Sequence, residues 1–178
     1  MNTISTILGE ISTVCANIND KEYNHLVEIF QSNNRFFFSG EGRSGLIAKA
    51  IAMRLMHSGK TVFVIGETTT PAIEKSDVLI VVSGSGKTPN TLNILESASK
   101  VEALIFLITT NRDVLELYSG LLVHAATKYR LPGEPDTIQP LGNQFDQAAH
   151  LVLDAAIIDS FNNGQSNDTM KSKHSNLE

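Results

Sequence analysis

Two periodicities divide this chain. Val78, Leu79, Ile80, Val81 and Val82 form an unbroken apolar run of the kind found in strands covered on both faces. In contrast, Ile4, Ile7, Leu8, Ile11, Val14, Cys15 and Ile18 recur at helical spacing and predict an amphipathic N-terminal helix. A second helix starts at the capping pair Asn19-Asp20 and carries Tyr23, Leu26, Val27 and Phe30 on its apolar face. Arg35 to Ser39 reads as the first strand, followed by a helix from about Ser44 to Ser58, with Gly59 as its stop and Leu46, Ala50, Met53 and His57 on one stripe. Residues 61–66 then read as strand two, 77–83 as strand three with a helix over 89–100, 103–110 as strand four, and 121–126 as strand five, with His124 inside it. Alternating strands and helices predict a parallel sheet. Thr127 to Leu141 holds Pro132, Gly133, Pro135 and Pro140 and predicts a long loop, a place where function is common. A last helix is expected from about Gly142 to Asn162, and the polar residues beyond it read as a loose tail.

With 178 residues, 42% of them hydrophobic and 19% charged, the chain suits one domain over 1–178. Residues 1–33 form its N-terminal helices and 163–178 its tail. A formal charge of −5 argues against a broad nucleic-acid surface, so an anion bound here must be held locally by a few groups. Cys15 has no disulfide partner, and no apolar stretch approaches the roughly 20 residues that span a bilayer. The expectation is a cytoplasmic protein without membrane or nucleic-acid partners.

Candidate chemistry concentrates in two turns. After strand three come Ser83, Gly84, Ser85, Gly86, Lys87 and Thr88, in which glycines free the backbone, hydroxyls donate, and Thr88-Pro89 opens a helix. Strand end, donor-rich loop and helix N-terminus suit a phosphate. A nucleotide-triphosphate loop is rejected, because Val81 stands where its first glycine belongs. After strand one, Gly40-Glu41-Gly42-Arg43-Ser44-Gly45 is the second such turn. Its glycines also satisfy a dinucleotide-binding pattern, with Glu67 as a possible ribose ligand. Glu67 lies further on than the roughly 20 positions that pattern requires, and a dinucleotide leaves the Ser83–Thr88 loop unexplained. In a doubly wound sheet of order 2-1-3-4-5, the loops after strands one and three face each other at the switch point. Arg43 would present a forked pair of donors there, and Lys87 a point charge.

The two turns, with residues 52–59 (AMRLMHSG), 64–71 (VIGETTTP), 138–146 (IQPLGNQFD) and the terminal KHSNLE, resemble the 6-phospho-3-hexuloisomerases of the sugar isomerase (SIS) group. The likeness runs in order along nearly the whole chain. It implies a flavodoxin-like, doubly wound five-stranded parallel sheet with helices on both faces, and a homotetramer with active sites near subunit interfaces. It also implies an intramolecular oxidoreductase that converts 3-hexulose 6-phosphate to fructose 6-phosphate in the ribulose monophosphate pathway of formaldehyde fixation. By the resemblance, Ser83, Ser85 and Thr88 match the phosphate loop, and Gly42, Arg43 and Ser44 match the loop facing it. Where the family commonly has glutamate this chain has Asp146, one methylene shorter, and Asn143 and Gln144 also depart from its pattern.

Moving a carbonyl from C3 to C2 needs a general base at C2, donors to the enediolate oxygens and an anchor for the phosphate, and formally no metal or cofactor. Asp146, which matches the family's acid, and Glu67 are the candidate bases. Asp146 also suits the first turn of a helix on electrostatic grounds alone, and Glu67 suits a loop carboxylate bonded to backbone donors. His57 is a candidate acid, or a histidine serving a helix C-terminus. His124 and His150 are expected to be structural, and Asp146 with His150 makes too few ligands for a metal. By the resemblance, His174 in the tail folds over an active site, its own or a neighbour's. From another functional class, a non-catalytic sugar-phosphate sensor fits the same loops.

Overall fold

The computed structural model describes residues 2–161 and 166–177. Five strands, β1 (Phe36–Gly40), β2 (Val62–Val64), β3 (Val78–Val82), β4 (Leu104–Thr109) and β5 (Ser119–Leu122), form one sheet in the order β2-β1-β3-β4-β5. All pairings are parallel, with Phe36 opposite both Val62 and Val78. The expected doubly wound topology is present, and it brings the carboxyl ends of β1 and β3 side by side.

Successive side chains of a strand point to opposite faces, and both faces are covered. Phe36, Phe38, Val78, Ile80, Val82, Phe106 and Ile108 face one core, which is filled from helices α1 (Thr3–Ala16), α2 (Asp20–Gln31), α3 (Arg43–His57) and α6 (Asn143–Asp159). Phe37, Leu79, Val81, Ile105 and Leu107 face the other, against α4 (Pro89–Lys100) and α5 (Arg112–Leu115). Covering both faces is why β3 is apolar at every position.

Several boundaries differ from expectation for local reasons. β2 stops at Val64, where the Val64 carbonyl accepts Glu67 N–H and Thr70 Oγ1 and the chain turns away. β5 ends at Leu122 because the Ala125 N–H bonds back to the Val123 carbonyl. His124 therefore lies beyond the strand rather than within it, with Nε2 3.0 Å from the Gly133 carbonyl. A helical turn not expected from the pattern, α5, follows Asn111, whose side chain caps Asp113 N–H. In the tail, reciprocal bonds between Ser166 and Thr169 form a capping box that starts α7 (Asn167–Lys171), so this stretch is a short helix rather than loose chain. Residues 163–165 and Glu178 of the expected tail, and Asn162 at the expected helix end, lie outside the described residues. No helix among the described residues is long and apolar enough to cross a membrane.

Candidate active site

Three segments wall a cavity of about 370 Å³ at the carboxyl end of the sheet: the turn after β1, the turn after β3, and the stretch from the β5 loop into α6. Of the residues singled out in the sequence, Gly42, Arg43, Ser44, Ser83, Gly84, Ser85, Thr88 and Asp146 line it together.

The first turn owes its shape to close approach. A Cβ on Gly45 would stand 2.6 Å from the Gly40 carbonyl oxygen, and one on Gly40 would stand 2.8 Å from the Ser44 backbone. Strand end and helix start touch there, which accounts for the dinucleotide-like spacing without a dinucleotide. Gly42, between them, adopts φ 57°, a conformation other residues rarely take.

The second turn is staked from behind. The Gly84 carbonyl accepts Thr109 Oγ1 (3.0 Å), Thr110 Oγ1 (2.9 Å) and Thr110 N–H (3.0 Å), and the Ser85 carbonyl accepts Asn111 Nδ2 (2.9 Å). With these carbonyls bound to the end of β4, Ser83, Ser85 and Thr88 remain on the cavity side. Ser83, only 6% exposed, accepts Gly86 N–H through its hydroxyl at 3.2 Å, so Gly86 shapes the loop without lining the cavity. Lys87 points into an adjoining hollow and pairs with Asp113 at 3.7 Å.

Helix termini reinforce the polarity. Among the described residues α1, α2, α5 and α7 have side-chain N-caps, whereas α3, α4 and α6, whose N-termini reach this cavity, have none. Their first-turn N–H groups and positive dipole ends favour an anion there.

On the third wall, Asp146 is 7% exposed, and its Oδ2 accepts Arg43 Nε at 2.6 Å, while Arg43 Nη2 donates to Asn143 Oδ1. The forked guanidinium thus grips protein groups across the mouth of the cavity. Among the described residues Asp146 Oδ1 has no hydrogen-bond donor. Sequence reasoning marked the long loop but not Thr127, Lys128 and Tyr129 within it, nor Glu41, whose carboxylate accepts Asn90 Nδ2 beside the cavity. Their only signal was position after the carboxyl ends of β5 and β1.

The remaining candidates stand elsewhere. Glu67 is exposed and accepts Lys49 Nζ at 2.6 Å, a bond that, with the lysine's charge, holds its carboxyl below the ordinary value. His57 ends α3 at the opposite, amino end of the sheet, where His174 stacks on it with ring centroids 5.1 Å apart. Burial, then the charges of His174 and Arg54, push the His57 imidazole down. Among the described residues none of the tail, 166–177, therefore lines the cavity of its own chain. His150 pairs with Asp154, and no group of three or more metal-ligating side chains occurs among the described residues.

Comparison with known proteins gives the cavity a context. A family model described as SIS domain matches residues 28–126. The 3-hexulose-6-phosphate isomerase of Bacillus subtilis is 34% identical over 98% of this chain and 97% of its own, and that of Mycobacterium gastri is 33% identical over 99% and 90%. A crystal structure from Methanococcus jannaschii, from which a molecular function of 3-hexulose-6-phosphate isomerase was inferred, is 27% identical and superposes with a TM-score of 0.83 over all of both chains.

Proposed function

This chain belongs to the SIS domain family, and from that premise we propose that it is a sugar-phosphate isomerase interconverting 3-hexulose 6-phosphate and fructose 6-phosphate. The observation that carries the reading is the pairing, in one cavity, of a hydroxyl-and-amide cradle with a carboxylate held by a guanidinium. The phosphate sits against Ser83, Ser85, Thr88 and the α4 N-terminus, which spreads its charge over neutral donors and one helix dipole. Anchoring that end leaves the sugar carbons to extend towards Asp146.

Asp146, through Oδ1, takes the proton from C2. The C2–H electrons form the C2–C3 double bond, and the C3 carbonyl becomes an enediolate oxygen stabilised by Arg43 and the first-turn N–H groups of α6. The O2 hydroxyl proton passes to O3, the O2 oxyanion collapses to the C2 carbonyl, and the enediol carbon C3 takes back the proton held by Asp146, which completes the isomerisation.

Exposed Leu46 and Met53 on α3, with Leu151 and Ile158 on α6, support assembly into a homotetramer. In that assembly the His57–His174 pair serves a neighbouring subunit's cavity, and deletion of residues 172–178 lowers turnover; unchanged turnover would remove the tail from the site. By the family resemblance, this activity would serve formaldehyde fixation through ribulose monophosphate. Assay of fructose 6-phosphate formation from 3-hexulose 6-phosphate tests the reading, since a sugar-phosphate sensor binds without turnover.

A further inference from the structure

A chain of side chains runs from α1 to the cavity. Glu10 receives three donors from successive residues: Ile138 N–H at 2.9 Å on Oε1, and Thr137 Oγ1 and Gln139 Nε2, the latter at 2.9 Å, on Oε2. Gln139, 2% exposed, turns its Oε1 to Asn143 Nδ2 at 2.7 Å. Asn143 in turn offers Oδ1 to Arg43 Nη2, and Arg43 Nε donates to Asp146 Oδ2.

The direction of these bonds is fixed from both ends. An amide placed between two partners has two flips, and only its neighbours choose between them. A carboxylate can only accept, so Glu10 forces Gln139 to show it the amino group. A guanidinium can only donate, so Arg43 forces Asn143 to show it the oxygen. Both requirements agree on the single arrangement seen. Burial works against the Glu10 charge, but the bonds from Thr137, Gln139 and Ile138 N–H, with Arg130 nearby, hold its carboxyl below the ordinary value. The accepting end is thus anionic at neutral pH.

We infer that Glu10, Gln139 and Asn143 are positioning residues for the isomerisation: a polarised amide relay that sets the Arg43 guanidinium against Asp146 from a helix outside the cavity. The role rests on the function proposed above. It assigns a task to Asn143, one of the positions where this chain departs from the pattern it resembles, and to Glu10, which does not line the cavity.

Reversing the relay tests it. Asn143→Asp presents an acceptor to Gln139 Oε1, so Gln139 must flip and turn its oxygen on Glu10. Glu10→Gln leaves a donor facing either Ile138 N–H or Gln139 Nε2. In the double variant both conflicts vanish: Gln139 donates to the carboxylate introduced on α6 and accepts from the amide introduced on α1, while Ile138 N–H keeps its acceptor. Each single variant is expected to lower kcat about tenfold, with KM changed far less, and the double to return within about threefold of wild type, a coupling of the size contacting residues show.

In parallel, solvent exchange of the Arg43 Nε–H, followed by 15N NMR without substrate, is expected to be slow in wild type, faster in both single variants and slow again in the double. A double variant that loses the product of the two single effects, or single variants that keep both wild-type kcat and wild-type exchange, would overturn the relay. If the wild type turns over no hexulose phosphate, the proposed function fails, and the exchange cycle alone decides the relay.

Discussion

The two ends of this sheet are built to opposite rules. At the amino end most polar groups are closed off by one another, Ser32 Oγ being a buried exception: Asp77, 1% exposed, accepts Arg35 Nε (2.8 Å), Arg35 Nη2 (2.6 Å) and Glu74 N–H (2.6 Å). Lys60 Nζ there donates to the Gln31 and Ser32 carbonyls at the end of α2, and His174 lies on His57. At the carboxyl end three helices begin without side-chain caps around a cavity, and a nearly buried carboxylate keeps one oxygen without a donor among the described residues. Satisfied groups hold a fold together, whereas groups left wanting partners bind and react.

Substitutions should therefore separate activity from stability according to the end they touch. The largest effect falls at the cavity: Asp146→Asn lowers kcat by about 10²- to 10⁴-fold, the usual worth of a general base, with little change in KM. Steady-state kinetics with 3-hexulose 6-phosphate measures it. At the amino end Asp77→Ala removes the buried acceptor of Arg35 and of Glu74 N–H and costs about 1–3 kcal/mol of stability, read by urea unfolding, while activity per folded molecule is retained. A loss of activity without a loss of stability there would erase the contrast between the ends.

A smaller effect belongs to the cradle. Ser85→Ala removes one donor to a dianion, worth about 1.5–3 kcal/mol, and so raises KM roughly 10- to 100-fold with kcat much less affected.

The smallest effect is a pH dependence at the amino end. His57 is held below its ordinary value of 6.5, chiefly by burial. The unfolded chain therefore takes up the proton first on acidification. Its contribution to stability is complete above pH 6.5 and lost as pH falls towards the lower folded value. Thermal unfolding between about pH 8 and 5 should show this slope in wild type and a shallower one in His57→Gln.

The amino-acid pattern made the sheet legible because parallel strands buried on both faces leave unbroken apolar runs, as at Val78–Val82, and because their order places the loops after β1 and β3 together. The cavity wall after β3 was legible because its glycines and hydroxyls lie within the short run Ser83–Thr88, and Ser83, Gly84, Ser85 and Thr88 do line the cavity. What escaped depends on distant chain segments meeting. Thr109, Thr110 and Asn111 look like the end of a strand until they bind the carbonyls behind Ser83–Thr88. Glu67 resembles a cavity residue until Lys49 of α3 claims it. Arg43 carries the charge of a ligand for an anion, but nothing local in the sequence shows that its Nε and Nη2 meet Asp146 and Asn143, residues a hundred positions later in the chain.

The central claim, that Asp146 moves a proton within a phosphate-anchored sugar, is tested most directly by hydrogen exchange into the product. Fructose 6-phosphate incubated with the protein in D2O is followed by NMR at C3, the position the enediol shares with C2. Wild type should replace that hydrogen with deuterium, and Asp146→Asn should do so at least about 10²-fold more slowly while still binding fructose 6-phosphate. Exchange at the wild-type rate in Asp146→Asn, or binding without any exchange in wild type, would contradict the account.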